Sequence, residues 1–77
     1  MKLSEAQEDK DFVIEGFQGD RHFEERISAM GLRKGISLKV IKNKKKLPLL
    51  IYARDTLIAV GRGESEKILI GGAADGK

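Results

Sequence analysis

The chain has no cysteine, no tryptophan, one proline and one histidine. Without cysteine it can form neither a disulfide nor a thiolate-built zinc site, the usual supports of a small domain. A chain of 77 residues has room for one domain, which must close a compact apolar core or lean on a partner. Long hydrophobic runs are also absent. The longest uncharged stretches, Leu47 to Ala53 and Ile68 to Ala74, fall far short of the roughly 18 to 20 residues that span a bilayer. The N-terminus carries no signal-type apolar segment. These features together predict a cytoplasmic protein. Hydrophobic residues nevertheless make up 40% of the chain in short blocks, which argues for a folded domain rather than a disordered one.

The blocks have readable periods. Residues 1–11 are polar apart from Met1, Leu3 and Ala6. Phe12 and Ile14 then alternate, and Phe17 breaks parity after Gly16, the mark of a first strand with a bulge. Phe23, Ile27 and Met30 lie at i, i+4 and i+7 on one face of a helix over 21–30, with Asp20 as its N-cap. Gly31 stops the helix, and Leu32 packs back on its last turn. After a turn at Arg33-Lys34-Gly35, Ile36, Leu38 and Val40 alternate with Ser37 and Lys39 as a second strand. Strands over Leu49 to Arg54 and Leu57 to Gly61, joined by a short turn at Arg54-Asp55-Thr56, and a fifth at Ile68 to Ile70 complete the pattern. Gly61 to Lys67 is too short for more than a turn of helix. Residues 1–70 are therefore expected to form the domain and 71–77 a flexible tail. The expected fold is mainly β, a small SH3-like barrel of about five strands with one short helical insertion, because closure removes exposed strand edges. An open α+β sandwich is the competing architecture.

Catalytic chemistry is hard to assemble. His22 stands in the first helical turn among Arg21, Glu24 and Glu25. Ser4, Ser28, Ser37 and Ser65 form no nucleophile set with it, and Gly61-Arg62-Gly63 lacks the further glycine and long helix of a phosphate loop. The sequence thus predicts a protein that is not an enzyme and has no cofactor. His22 and Glu25, at i and i+3, are half of a metal site, enough for a weak divalent cation such as Fe²⁺ but not for a closed transition-metal site.

Charge is unevenly spread. Lys42, Lys44, Lys45 and Lys46 carry more charge than the whole chain's net +3. They form either a solvated, flexible loop or a contact for an acidic surface. No aromatic residue is interleaved with them to stack on bases, so nucleic acid is the weakest of the possible partners. If Leu49, Ile51 and Ala53 face the core, Leu50 and Tyr52 face outward, with Ile41 of the neighbouring strand on the same side. Either these three form a docking patch, or the helix or tail covers them.

Leu3-Ser4-Glu5-Ala6, the strand ending at Gly19, Glu25-Arg26-Ile27, Met30-Gly31-Leu32-Arg33-Lys34-Gly35, Leu38 to Ile41, Pro48-Leu49, Leu57 to Val60 and Glu66 to Ile70 follow one another as in a known family. Over about residues 2–70 the chain resembles the ferrous iron transport protein A (FeoA) family. Its most specific part is Met-Gly-Leu-x-x-Gly, in which Gly31, Leu32 and Gly35 are architectural. This chain departs from the family pattern at Glu8-Asp9-Lys10 and at Leu47, where the family commonly has glycine; Asp9 can take the left-handed conformation in its place. The resemblance implies an SH3-like barrel without catalytic residues, in the cytoplasm, serving the ferrous iron transporter FeoB, with which it would reach the membrane only through that partner. A related barrel forms the C-terminal domain of DtxR-type metal-dependent repressors, but this chain has no room for their DNA-binding domain. The expected partner face is Ile41, Lys42, Lys44, Lys45, Lys46, Leu50 and Tyr52. The alternatives are a metal-responsive domain using His22 and Glu25, and a nucleic-acid binder using the lysine loop.

Overall fold

The computed structural model describes residues 1–72. The N-terminal segment opens with a 3-10 turn over Leu3–Glu5, whose Leu3 and the following Ala6 are buried. Both lie outside any strand or long helix, yet they belong to the core. The five strands are β1 (Asp11–Phe17), β2 (Ser37–Lys42), β3 (Leu49–Ala53), β4 (Thr56–Val60) and β5 (Ile68–Gly72); the helices are α1 (Arg21–Ala29) and the single turn α2 (Arg62–Ser65). The strands form one antiparallel sheet in the order β4-β3-β2-β1-β5. β5 continues through Gly71 and Gly72, paired with Val13 and Phe12, so the ordered domain extends two residues past its expected boundary. The rest of the expected tail, 73–77, lies outside the described residues.

Alternation builds the core. Phe12 and Ile14 of β1, Leu38 and Val40 of β2, Leu49, Ile51 and Ala53 of β3, and Ile68 and Ile70 of β5 point inward and are buried. Phe23 and Ile27 of α1 close that layer. Phe17 packs edge-on against Phe23 with ring centroids 6.3 Å apart. The β1 bulge falls between Ile14 and Gly16 against β5, at the point where the sequence changes parity. A second bulge, between Val40 and Lys42 opposite Leu50, has no such signature. Without it, strict alternation would turn Lys42 to the same side as Val40; with it, Ile41 is half-buried and Lys42 exposed.

The helix is bounded by local chemistry. Asp20 accepts a 2.9 Å hydrogen bond from the Phe23 backbone N–H, satisfying one of the free donors of the first turn. At the other end Gly31 has φ +90°, its N–H donates to the Ser28 carbonyl at 2.9 Å, and the N–H of Leu32 donates to the Ile27 carbonyl at 3.4 Å. This pair of bonds is a Schellman ending. It buries Leu32 completely. Gly35, φ +93°, occupies the third position of a turn closed by a 3.1 Å bond from the Ile36 N–H to the Arg33 carbonyl, a position that needs positive φ. Met30, expected as the last helical residue, is the C-cap.

The two sheet edges differ. The outer edge of β5 is covered by the N-terminus: the Ile70 N–H donates to the Met1 carbonyl at 2.7 Å, and Lys2 bridges Leu69. β4 has no neighbour on its outer side among the described residues. Strand pairing therefore does not close completely, and one edge stays open.

Candidate functional site

The loop that joins β2 to β3, residues 43–48, carries Lys44, Lys45 and Lys46, all exposed. Side chains from two other segments, together with the loop's own Asn43, pin its backbone. Arg62, on α2, donates through Nη2 to the carbonyls of Lys44 and of Leu47, the latter at 2.7 Å, and through Nη1 to Asn43 Oδ1 at 2.8 Å and the Ser4 carbonyl at 3.4 Å. Asn43 in turn donates from Nδ2 to the carbonyls of Ala6 at 2.7 Å and Ser4 at 3.1 Å. The Glu8 carboxylate accepts the Asn43 backbone N–H at 2.8 Å and meets the Lys44 ammonium at 3.5 Å. A planar guanidinium with five donors in a fixed fork is well suited to hold several carbonyls at once. The loop is thus tied to the N-terminal turn and to α2, whereas the sequence left open a free, flexible loop. Lys46 takes positive φ, +68°, so the turn beside Leu47 needs no glycine there.

Arg62 Nε is buried with no hydrogen-bond partner among the described residues. The cost of that unpaired donor is offset by the bonds its outer nitrogens make to the loop. The Asn43 N–H, together with the nearby Lys44 and Lys42 charges, holds the Glu8 carboxyl below the ordinary glutamate value of 4.5, since both stabilise its charged form. Asp9, next to Glu8, has φ +63° and donates its N–H to the Val40 carbonyl at 2.7 Å. Asp9 here serves the turn where the family commonly has glycine.

Beside the loop runs the outer face of β2, β3 and β4. Tyr52 pairs with Lys39 on one side and Leu57 on the other; Leu50 pairs with Lys42 and Ala59. Tyr52 is 43% and Leu57 59% exposed, and Leu47 at the loop's end is 55% exposed. Leu50 and Ile41 are half-buried. Neither helix packs over Tyr52 and Leu57. The structure therefore brings Ile41, Lys42, Leu50 and Tyr52 onto one surface with the lysine loop at its end. Leu57, the most exposed large apolar side chain of the described residues, completes it. The sequence reading missed it because it was counted only as part of a strand. Asn43, Arg62 and Glu8 were missed as well, since their role is carried by backbone bonds to distant segments.

His22 and Glu25 lie elsewhere, exposed on α1, lining a shallow depression with Arg26. Arg21 approaches Glu25 to 4.0 Å. Arg26 is engaged elsewhere, with Glu64 at 2.9 Å. Among the described residues, no group of three or more His, Asp or Glu side chains is placed to hold a metal ion, and no helix is long and apolar enough to cross a membrane.

A mainly β domain of this topology, with one helix longer than a single turn, has the fold of the small SH3-like domains. The FeoA domain family matches residues 1–71, and the chain belongs to that family. A curated protein of Methanocaldococcus jannaschii, named "Putative Fe(2+) transport protein A", is 31% identical over 68 residues, covering 88% of this chain and 82% of its own length. The solution structure of the FeoA protein of Chlorobium tepidum superimposes with a TM-score of 0.83 at 25% identity, covering 96% of this chain and 71% of that one. The zinc complex of Stenotrophomonas maltophilia FeoA, described as a prokaryotic SH3 domain protein, gives 0.77 at 22% identity over 92% of this chain and 89% of that one.

Proposed function

We propose that this chain is a non-enzymatic cytoplasmic accessory protein of ferrous iron uptake that docks on the cytoplasmic part of the transporter FeoB and modulates it. One observation carries the reading. The backbone of the lysine loop is tethered by Arg62, Asn43 and Glu8, next to an apolar strip of Tyr52, Leu57 and Leu50. A preorganised cationic rim beside exposed apolar side chains suits a transient protein interface, because less of the loop's backbone is left to be ordered on binding. Long-range attraction from its charges also speeds encounter with an acidic partner. Family membership supplies the iron-transport setting.

The test is an amide-resolved NMR titration with the isolated cytoplasmic GTP-binding domain of the cognate transporter, with and without guanine nucleotide. Shifts are expected on β2, β3, β4 and the lysine loop. The double variant Lys44→Glu, Lys45→Glu and the single variant Tyr52→Asp should each bind at least tenfold more weakly. Unchanged spectra, or variants that bind as well as the parent, would refute the proposal.

A further inference from the structure

The open edge of β4 is built to accept a strand. The β3–β4 turn has two central residues, Arg54 at φ +54° and Asp55 at φ +61°, a type I′ geometry that makes Ala53 and Thr56 a hydrogen-bonded pair. Alternation from that pair along the register, with Ile51 opposite Ile58 and Leu49 opposite Val60, leaves the N–H and C=O groups of Leu57 and Ala59 pointing away from β3. No other described segment takes them. Proteins usually protect such an edge with lysine, proline, a bulge or a covering segment. β5 is covered by Met1 and Lys2, whereas the β4 sequence Thr-Leu-Ile-Ala-Val has no charge and no proline.

Below this edge, on the side of α1, lies a groove of about 320 Å³ whose lining includes Met30, Ala53 and Ile58, with Arg54 at its rim. A strand laid along β4 would send the side chain opposite Ile58 into that groove and those opposite Leu57 and Ala59 to the outer face, beside the exposed Leu57. Backbone bonds would give affinity and the groove a choice of side chain. The electrostatics are lopsided. Beyond Val60 stand Arg62, Lys44, Lys45 and Lys46; of the carboxylates in described ion pairs there, Glu8 meets Lys44 and Glu64 is taken by Arg26 at 2.9 Å, so neither faces Lys45 or Lys46. The turn end, in contrast, carries one charge of each sign, Arg54 and Asp55.

We propose that β4 binds, by antiparallel strand addition, an extended segment of a protein partner that is apolar at its centre and acidic at the end lying over the lysine loop. The inference rests on the reading of this chain as a docking module and names the form the partner takes. A second copy of the chain fits less well. Two β4 strands related by a two-fold axis at Ile58 would set Arg54 opposite Arg62 of the other copy, a repulsion that an acidic partner segment does not meet.

The probe is a synthetic peptide, acetyl-Asp-Glu-Glu-Val-Thr-Ile-Thr-Val-amide, titrated into the full chain and followed by amide spectra and hydrogen exchange. Saturating peptide should slow exchange of the Leu57 and Ala59 amides at least tenfold and shift Met30. The peptide with three lysines in place of the acidic residues should bind at least tenfold more weakly. Ala59→Pro, at an N–H that β3 does not use, should reduce binding by tenfold or more; the exchange measurement needs no variant and decides the matter if that protein fails to fold. Shifts confined to Lys44–Lys46, no protection at Leu57 and Ala59, or equal binding by folded Ala59→Pro would each overturn the proposal. So would protection of those amides that grows with protein concentration alone, which assigns the edge to a second copy. In the transporter titration, binding that leaves the Leu57 and Ala59 amides exchanging freely sinks the edge and keeps the docking reading. Peptide protection without transporter binding does the reverse.

Discussion

Replacing Arg62 with Met removes the guanidinium that ties three parts of the chain together while keeping much of the side chain's apolar bulk. Its two half-buried bonds, to Asn43 Oδ1 and the Ser4 carbonyl, and its two exposed bonds, to the Lys44 and Leu47 carbonyls, are charge-assisted on one side only. Bonds to charged groups contribute about 1.5 to 3 kcal/mol when well buried, and less where water can replace them. Taking about 1 kcal/mol for each half-buried bond and half that for each exposed one gives a loss near 3 kcal/mol. For a chain of 77 residues, total stability is of the order of 4 to 11 kcal/mol, so the variant forfeits a quarter or more of it. At about 4 to 8 °C per kcal/mol for a domain of this size, Tm should fall by roughly 12 to 24 °C. Thermal unfolding by circular dichroism measures the change. Amide exchange of Asn43 to Leu47 should accelerate well beyond that of β1, because the loop loses its anchors before the sheet opens. Arg62→Lys keeps the charge but not the fork, and should recover less than half of the loss. A Tm within 3 °C of the parent, with the loop amides equally protected, would show that the guanidinium network does not hold the loop.

Other expectations follow from single groups. Glu8 has its carboxyl held down in the folded state, so its contribution is complete above the ordinary value of 4.5 and disappears as pH falls through the lower folded value; Glu8→Gln should flatten the acid limb of the stability curve, read by urea unfolding from pH 6 down to pH 3. Gly31→Ala forces a side chain into φ +90° and should cost about 1 to 2 kcal/mol, seen as a lower urea midpoint at unchanged slope. Asp20→Ala frees the Phe23 N–H and should cost about 1 kcal/mol, with faster exchange limited to the first turn of α1. Leu57→Asp, at an exposed site, should stay within about 0.5 kcal/mol of the parent in stability while weakening the transporter interaction, as titration would report.

Features encoded within a few residues were legible in the sequence. Asp20 before an apolar i, i+4, i+7 face and Gly-Leu after it marked both ends of α1, and the parity change at Gly16 marked the first bulge. The β3–β4 turn was placed from its flanking strands, although Arg54-Asp55 lacks the glycine that usually eases two successive positive φ values. The second bulge was hidden because Val-Ile-Lys reads equally well as regular alternation. Leu3 and Ala6 escaped because a three-residue 3-10 turn is too short to display a period. Of the candidate site, the lysines and the outward β3 side chains were visible; the anchoring was not, since Arg62 reaches partners 15 to 58 positions away through carbonyls that every residue type possesses. The argument that closure removes strand edges held for β5, which the N-terminus covers, and failed for β4.

The sheet order has a consequence for how the chain comes to be folded. β1 sits between β2 and β5, and its pairing with β5 joins residues from opposite ends of the sequence, Phe12 with Gly72 and Phe17 with Ile68. Closing so wide a loop is entropically slow, and no native-like sheet can be complete until that closure occurs. A product truncated before Ile68 would leave β1 as a second naked edge beside exposed Ile14 and Leu3, and would be recognised by proteases and by other unfinished chains alike. The last strand made is therefore the one that covers the first: burial of Ile14 and Leu3 waits on the arrival of Ile68 and Ile70.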